Sequence, residues 1–247
     1  MENRAVNNDI YQSLGERWYT AQDDPVALLR AESKLRNPWV VERIRANLGE
    51  HAVRVLDIGC GAGFLTNYLA SAGHDVTGFD NSTSSLEVAA RHDTSGRARY
   101  QVGDALALPF DDARFEVVCA MDFLEHVDDW KGAVAEMSRV LAPRGLFFFH
   151  TFNRNWLAWL VVIKGVEWFV KNTPRDMHVL PLFIKPKELV AKAESHDMEI
   201  LELHGSRPLF DRSMLKMLAT RVVPSEFSFT FGKSTLLAYT GIARKRR

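Results

Sequence analysis

A short apolar segment that leads through an acidic residue into a run of glycines constrains this chain most. The segment Val55–Ile58 contains Asp57 and is followed by Gly59, Gly61 and Gly63. Glycine permits a tight turn and lets a ligand approach the backbone closely. A helix that starts after such a turn offers unpaired N–H groups to the ligand. The pattern therefore predicts a strand, a glycine loop and a helix that together form a nucleotide-type site.

The spacing of the glycines separates the possible kinds of loop. A dinucleotide loop requires G-x-G-x-x-G/A, but the third position here is Phe64. No Lys-Ser/Thr pair follows, so the segment is not a phosphate-binding P-loop. The spacing is G-x-G-x-G, and together with the leading Asp57 it resembles motif I of the class I S-adenosylmethionine-dependent methyltransferases. The alternative is a purely structural turn.

Two further acidic residues end predicted strands and extend this resemblance. Asp80 lies about 20 residues beyond the glycine turn, a spacing at which an acid accepts hydrogen bonds from ribose hydroxyls. The resemblance implies that Asp104 meets the adenine amino group. Asn81, Ala105 and Met121 complete the expected cofactor site. The alternative for either aspartate is a cap on the next helix.

Apolar strands alternate with helical segments along most of the chain, which predicts an α/β fold with a doubly wound sheet and ligands at the carboxyl ends of the strands. The resemblance implies a Rossmann-like class I methyltransferase sheet with a C-terminal antiparallel strand. A turn at Ala142–Gly145 is expected to place Gly145 in a left-handed conformation. The predicted strands are 53–57, 75–79, 98–102, 115–120, 146–150, 198–204 and 234–243, and the predicted helices are 63–72, 82–91, 131–141 and 186–196.

The chain of 247 residues is expected to form one domain, 1–247. Residues 1–50 are predicted to be a helical extension and residues 151–185 a helical insertion after the fifth strand. An aromatic cluster in the extension is interpreted either as a lid over the cofactor or as packing on the core. Its members are Tyr11, Leu14, Trp18 and Tyr19.

Charge and cysteine content restrict the class of protein. The formal net charge is zero, which argues against nucleic-acid binding as the main theme. Cys60 and Cys119 are the two cysteines, and neither has a metal-type spacing. The first nine residues are polar and lack a signal pattern. A cytoplasmic protein is therefore expected.

Three potential ligands follow the fourth predicted strand within five positions. They are Asp122, Glu125 and His126, and they are expected to face the methyl-donor pocket. Two carboxylates and an imidazole suit a hard or borderline divalent ion. Such an ion would bind both oxygens of a catechol and lower the hydroxyl pKa. The alternative is a metal-free site in which His126 orients the substrate or acts as a base.

Several segments together resemble the ubiquinone-biosynthesis O-methyltransferases, which are the 2-polyprenyl-6-hydroxyphenol methylases and 3-demethylubiquinol 3-O-methyltransferases. The similarity extends from about Asp9 to Val190 and includes Asp122–His126, Thr151–Asn155 and Phe183–Pro186. It implies S-adenosylmethionine, a divalent metal that is usually magnesium, and methylation of a catechol hydroxyl on a polyprenylated ring. It also implies a place in a biosynthetic complex.

The chain departs from the family pattern at several points. The family's Glu-x-x-Glu-His motif begins here with Asp122, and Pro-Lys-Gly-Thr-His is reduced to Pro174 and His178. An arginine that usually follows Asn-Pro is missing after Pro38, and Arg36 or Arg43 is a candidate replacement for holding the methionine carboxylate. The departures leave the identity of the quinone precursor open.

The insertion carries an aromatic-rich apolar segment at 156–170. Its apolar run is too short to span a bilayer, which requires about 20 residues. Trp156, Trp159, Leu160, Ile163 and Val170 are predicted to share one helix face, which suits docking at the inner face of a membrane. The terminal run 244–247 is basic and is interpreted as added attraction to anionic lipid or as a solvated tail. The alternatives for 156–170 are a lid helix and a dimer contact.

The hypothesis from the sequence is a metal-assisted catechol O-methylation. His126, Glu125 and Asn153 are the expected catalytic residues, and Asn153 and His150 are expected to line the substrate ring. His178 is a secondary candidate. The rivals are a metal-independent methyltransferase for another lipophilic molecule, and a non-catalytic cofactor-binding assembly partner.

Overall fold

A computed structural model describes residues 8–247, apart from the side chains of Asp9 and Ile10. The first seven residues of the predicted N-terminal extension lie outside this description. Eight strands form the sheet. They are β1 (Arg54–Ile58), β2 (Asp75–Asp80), β3 (Arg99–Val102), β4 (Phe115–Met121), β5 (Leu141–Phe152), β6 (Met198–Pro208), β7 (Phe229–Gly232) and β8 (Ala238–Lys245).

Within residues 8–247, nine α-helical segments and a few tight turns surround this sheet. The helices are α1 (Arg17–Thr20), α2 (Val26–Leu48), α3 (Phe64–Ser71), α4 (Thr83–Arg91), α5 (Trp130–Val140), α6 (Trp156–Ala158), α7 (Val166–Phe169), α8 (Pro186–Glu194) and α9 (Arg212–Thr220). Short 3₁₀ segments occupy Asn8–Ser13, Leu124–His126 and Leu180–Leu182. A π-helical turn, Trp159–Gly165, joins α6 to α7.

The strands lie side by side in the order β3-β2-β1-β4-β5-β8-β6-β7. The first five are parallel to one another, and β8 is antiparallel to both β5 and β6. The chain order reverses between β1 and β4, and an open sheet binds its ligand at such a switch point. This topology confirms the predicted Rossmann-like sheet with a C-terminal antiparallel strand.

Apolar side chains on both faces of the central strands form the core. Leu56 of β1 and Phe147 of β5 belong to one buried cluster, whereas Val55 and Phe148 belong to another on the opposite face. Successive side chains of a strand point to opposite faces, so a strand covered on both sides is apolar throughout. The two clusters hold the carboxyl ends of β1 and β4 in fixed register beside the switch point.

The expected turn before the fifth strand was wrong in two respects. Strand β5 already begins at Leu141, and Arg144 adopts the left-handed conformation with φ 65°. Gly145 is needed for a different reason, because a Cβ there would lie 2.8 Å from the carbonyl oxygen of Glu116 on the neighbouring strand. The register between β4 and β5 shifts at this point, which accommodates the extra residues as a bulge.

The C-terminal third contains elements that the sequence did not predict. Helix α9 and edge strand β7 both lie within 205–233, for which no element was expected, and β8 starts later than predicted, at Ala238. Between Asn8 and Arg247, no helix is long and apolar enough to cross a membrane.

The single apolar face expected for the insertion was also wrong. Ile163 and Val170 are buried, whereas Trp156 is 71% exposed and Trp159 is 40% exposed. A π-helical turn contains more residues than an α-turn, so it rotates the residues that follow it relative to those before it. The insertion therefore presents Trp156 and Trp159 outward and Ile163 and Val170 inward.

Candidate active site

A cavity of about 1080 Å³ opens at the carboxyl ends of the first four strands. It is lined by Asp57 of β1 and Gly59 directly after that strand, by Asp80 at the end of β2 and by Asp104 after β3. Residues of α2, the insertion and α9 form its other walls. The cavity thus occupies the position at which an open α/β sheet binds its ligand.

The glycine loop adopts left-handed backbone conformations at its glycine positions. Gly59 and Gly63 have φ values of 67° and 79°, which are left-handed and suit glycine. The Gly59 amide donates to the carbonyl of Phe79 at 2.8 Å, and a Cβ at Gly59 would collide with the ring of Phe123. Helix α3 starts directly after Gly63. The loop therefore brings its backbone against the cavity, as motif I was predicted to do.

The N-terminal segment packs directly on this loop. Trp18 is buried in a cluster with Ala62, and the Tyr19 hydroxyl donates to the Ala62 carbonyl at 2.8 Å. The rings of Tyr11 and Trp18 stack at 5.5 Å. Because Tyr11 and Trp18 also line the cavity, the segment covers the loop as well as packing on the core.

The two acids near the loop are held in different ways. The Asp57 carboxylate accepts the Thr66 hydroxyl at 2.6 Å, and burial raises the pKa of Asp57 to about 7. The Asp80 carboxylate accepts the backbone N–H groups of Gly61 at 2.9 Å and Ser82 at 2.8 Å. The side chain of Ser82, and not that of Asp80, caps helix α4. Both carboxylates line the cavity and are oriented by the loop.

The remaining expected cofactor residues surround the same space. Asp104 follows β3, is exposed, and accepts the Leu106 amide at 2.9 Å. Asn81, Ala105 and Met121 also line the cavity, whereas Gly63 does not. Gly63 contributes through its backbone conformation, because it starts α3.

A buried charge network joins helix α2 to the ends of β4 and β5. The guanidinium of Arg36, 3% exposed, forms an ion pair with Asp122, and Glu32 lies 4.0 Å from its Nη1. The His150 Nε2 atom lies 3.4 Å from Asp122 and 3.7 Å from Glu32. Burial opposes ionisation of Asp122, but the Arg36 guanidinium outweighs it and lowers the pKa of Asp122. Asp122 therefore carries its charge inside the protein.

Asp122 does not join the other two predicted metal ligands in one compact group among the described residues. Glu125 and His126 instead lie with His178, and their ligand atoms are within 4.8 Å of one another. Glu32, Asp122 and His150 form the second such group. Arg36 already neutralises part of the second group, so the Glu125–His126–His178 group is the better candidate for a cation.

The Glu125–His126–His178 group has atoms that lack a partner. The Glu125 Oε2 atom accepts the Thr151 hydroxyl at 2.8 Å, whereas its buried Oε1 atom has no hydrogen-bond partner in residues 8–247. Burial and the nearby Asp122 carboxylate raise the pKa of Glu125. Burial lowers the pKa of His126 to about 4 and that of His178 to about 3. Both imidazoles are therefore neutral at pH 7 and have a lone pair for a metal or a proton.

The tautomer of His126 follows from its contacts with Asn8. The Asn8 amide donates to the His126 carbonyl at 3.2 Å, and its oxygen lies 3.1 Å from His126 Nδ1. Because that oxygen can only accept, Nδ1 carries the proton and Nε2 holds the free lone pair.

Two residues that were expected at the substrate ring lie outside the cavity lining. The Asn153 amide donates to the Thr235 carbonyl at 2.8 Å, so it ties the end of β5 to the segment before β8. His150 is fully buried, and its Nδ1 atom lies 2.7 Å from the Thr240 hydroxyl. Glu125 is also buried behind the wall, while His126 and His178 line the cavity.

Sequence reasoning missed Glu32 as a functional residue and left Arg36 as one of two candidates. The structure separates the two arginines. Arg36 lines the cavity, whereas Arg43 pairs with Glu202 at 2.8 Å and does not line it. The signal available in the sequence was the i, i+4 spacing of Glu32 and Arg36 in a predicted helical segment before the glycine loop.

The basic C-terminal run is mostly engaged within the protein. Lys245 Nζ donates to the carbonyls of Ser138 and Leu141 at 2.6 and 2.8 Å. Arg244 donates to the Asn47 side chain at 2.6 Å. Because Arg244 and Lys245 are already hydrogen-bonded within the protein, their positive charges are less available to bind anionic lipid.

Comparison with known proteins supports the chemistry of this site. Residues 56–149 match the model of a methyltransferase domain. The chain is 34% identical over 200 residues to "Ubiquinone biosynthesis O-methyltransferase" of Bordetella avium, covering 80% of this chain and 81% of that protein. It is 35% identical over 200 residues to the protein of the same name in Aromatoleum aromaticum, covering 79% and 82%.

A solved structure supports the fold. A SAM-dependent methyltransferase from Thermotoga maritima superposes with a TM-score of 0.61 and 18% identity, covering 96% of this chain and 98% of that one. This likeness shows that the two chains share the same class of fold. The chain is thus an S-adenosylmethionine-dependent methyltransferase, and it belongs to the family of the ubiquinone biosynthesis O-methyltransferases.

Proposed function

We propose that the protein methylates a phenolic hydroxyl of a polyprenylated catechol in ubiquinone biosynthesis. One observation carries the proposal: a single cavity contains the cofactor loop, two neutral histidines and a long apolar wall. An acceptor with a hydroxylated ring and a hydrocarbon tail matches these surroundings. The relatives named above are O-methyltransferases of ubiquinone biosynthesis, which supports the same acceptor class.

The reaction transfers a methyl group from sulfur to oxygen. The acceptor hydroxyl loses its proton, the oxygen forms a bond to the methyl carbon, and the carbon–sulfur bond breaks to leave S-adenosylhomocysteine. We assign the proton to His126 Nε2, since hydrogen bonding to Asn8 leaves this atom unprotonated. Alignment of oxygen, methyl and sulfur in one cavity supplies much of the rate.

In the proposed complex, acidic residues hold the nucleoside part of the cofactor and Arg36 holds its methionine part. Asp80 is assigned to the ribose hydroxyls, Asp104 with Asn81 and Ala105 to the adenine, and Met121 to the lining of the same cofactor site. Arg36 is the only Lys or Arg among the described residues that line the cavity, and its Nε and Nη1 atoms have no hydrogen-bond partner in that part of the chain. We assign Arg36 to the methionine carboxylate, because its unpartnered N–H groups can donate charge-assisted hydrogen bonds to an anion.

Glu125, His126 and His178 are the residues that would hold a divalent ion. The unpartnered Glu125 Oε1 and the two neutral imidazoles fit this role. Imidazole nitrogens suit Mn²⁺, Fe²⁺ or Zn²⁺ better than Mg²⁺, which prefers oxygen. A bound ion would lower the pKa of the acceptor hydroxyl. The competing hypothesis is a metal-independent reaction in which His126 alone takes the proton.

The insertion is proposed to rest on a membrane surface. Trp156, Trp159 and Trp168 are exposed on it, and Lys164 lies beside Trp159 at 5.9 Å. Exposed tryptophans with a nearby cation are typical of segments in the headgroup region. A tail-bearing acceptor would then reach the cavity from the lipid.

The test of function uses purified protein, methyl-labelled S-adenosylmethionine and a catechol with a short prenyl tail. Transfer of one label per turnover to a ring oxygen is expected. Tight cofactor binding without transfer to any prenylated phenol or catechol would contradict the proposal. Treatment with EDTA separates the two mechanisms: activity that falls and returns with Mn²⁺ indicates the ion, and unchanged turnover indicates His126 alone. Cells that lack the protein are expected to accumulate the unmethylated precursor.

A further inference from the structure

One part of the cavity is walled entirely by apolar side chains, and we propose that it binds the isoprenoid tail of the acceptor. This apolar arm consists of Val166, Val170, Met214, Met217, Leu218 and Phe227. The inference rests on the proposed function, because the tail belongs to the same acceptor. It assigns a role to the C-terminal region beyond Val190, which the sequence resemblance left unexplained.

The apolar arm is assembled from segments that are distant along the chain. Its six residues belong to one hydrophobic cluster with Ala27 and Ala31 of helix α2. The Lys171 amide donates to the Arg221 carbonyl at 3.0 Å, which fastens the end of the insertion to the end of α9. Asp211 caps the start of α9 by accepting the amides of Ser213 and Met214. The C-terminal end of α9 is thereby fixed to the insertion, and its first turn is stabilised by the cap.

The chemistry of this wall selects an uncharged hydrocarbon. Of the described cavity-lining residues from Phe152 onward, none has an ionisable side chain except His178, which lies with Glu125 and His126 and is not part of the apolar arm. A polar or charged tail would lose its hydration without gaining a partner. Methionines such as Met214 and Met217 adapt to a branched, methyl-bearing chain.

The outer end of the arm reaches the surface. Trp168 and Phe169 line the cavity and are also 54% and 36% exposed. Gly165, another lining residue, has no atom closer than 3.5 Å to the position of a Cβ. A tail longer than the arm can therefore extend past these residues to the outside, and the ring can stay near the methyl donor.

The test measures KM for catechols that carry no tail, one, two or three isoprene units. The wild-type protein is expected to show a KM that falls by at least about tenfold from the tailless catechol to the longest, because each buried methylene contributes to affinity. Met217→Trp narrows the arm and is expected to remove this gain, with the KM for the tailless catechol changed less than about twofold. If Met217→Trp does not fold, Met214→Phe is the replacement variant, because Met214 is less buried than Met217.

Leu215→Trp is the matched control, because Leu215 lies on the same helix, is 55% exposed and does not line the cavity. Its chain-length series is expected to follow the wild type. Binding of S-adenosylhomocysteine, measured calorimetrically, should be equal in all variants. A wild-type KM that is independent of tail length would overturn the tail site while leaving O-methylation intact.

Discussion

The guanidinium of Arg36 on helix α2 forms a buried ion pair with the carboxylate of Asp122 at the end of strand β4, across 86 residues of sequence. Asp122 adopts a left-handed backbone conformation with φ 57° to make this contact. Left-handed non-glycine residues are uncommon and often mark functional sites. The pair fixes the helix that roofs the cavity to the strand that ends beside the cofactor loop.

The first prediction concerns the role of Arg36 in cofactor binding. Arg36→Gln is expected to weaken S-adenosylhomocysteine binding by about 10- to 100-fold, since a charge-assisted hydrogen bond is worth about 1.5–3 kcal/mol. Binding of 5′-methylthioadenosine, which lacks the methionine carboxylate, should be nearly unchanged. Isothermal calorimetry measures both. Arg43→Gln, outside the cavity, is the control, and an equal loss for both ligands in Arg36→Gln would refute the assignment.

The second prediction concerns stability. Asp122→Asn keeps a residue that tolerates the left-handed conformation but leaves Arg36 buried without its partner, and we expect a loss of about 3–5 kcal/mol in the free energy of unfolding. Urea denaturation measures this loss. Glu226→Gln removes an exposed ion pair with Lys216 and should cost less than about 1 kcal/mol. Similar effects of the two changes would show that the buried pair is not a structural link.

The third prediction follows from the raised pKa of Asp57. Its pKa is about 7 in the folded chain, compared with 3.8 unfolded, so the folded state binds the extra proton between these values. Stability from this group is therefore fully present below about pH 4 and is lost as pH rises through about 7, by up to about 4 kcal/mol.

Urea unfolding of the cofactor-free protein between pH 4 and 8 tests this effect. Glu125, His126 and His178 also have shifted pKa values, so the test compares the wild type with Asp57→Asn, which keeps the size but cannot ionise. The stability of the wild type relative to Asp57→Asn should fall by up to about 4 kcal/mol between pH 4 and 8. An unaltered pH profile in Asp57→Asn would mean that another group is responsible.

The fourth prediction concerns the cation site. Glu125→Gln and His178→Ala are each expected to weaken Mn²⁺ binding by at least about tenfold, because each removes one donor from the Glu125–His126–His178 group. Calorimetric titration of the metal-free protein measures this. His204→Ala is the control, since His204 pairs with Glu202 outside the cavity. Mn²⁺ affinity that is insensitive to both changes would favour the metal-independent mechanism.

The sequence predicted the parallel strands and the glycine loop beside the cavity. The loop at Gly59 and Gly61, the acid at Asp80 and the parallel strands that carry them are local features, and local backbone requirements leave a readable pattern. The same reasoning failed at Gly145, where a contact with the neighbouring strand, and not a turn, requires the glycine. It also failed in the insertion, where a π-helical turn changed which side chains face inward.

The sequence by itself determined the parallel strands and the glycine loop, because hydrophobic periodicity and glycine spacing act over a few residues, and the methyl donor was implied by the resemblance of that loop to a known family. Only the tertiary structure decided that Asp122 joins Glu32, Arg36 and His150, and that His178 joins Glu125 and His126. These partners come from separate elements that packing of the core brings together. The physical reason is that the burial and pairing of charged groups depend on which elements pack together. A local sequence pattern does not specify this packing.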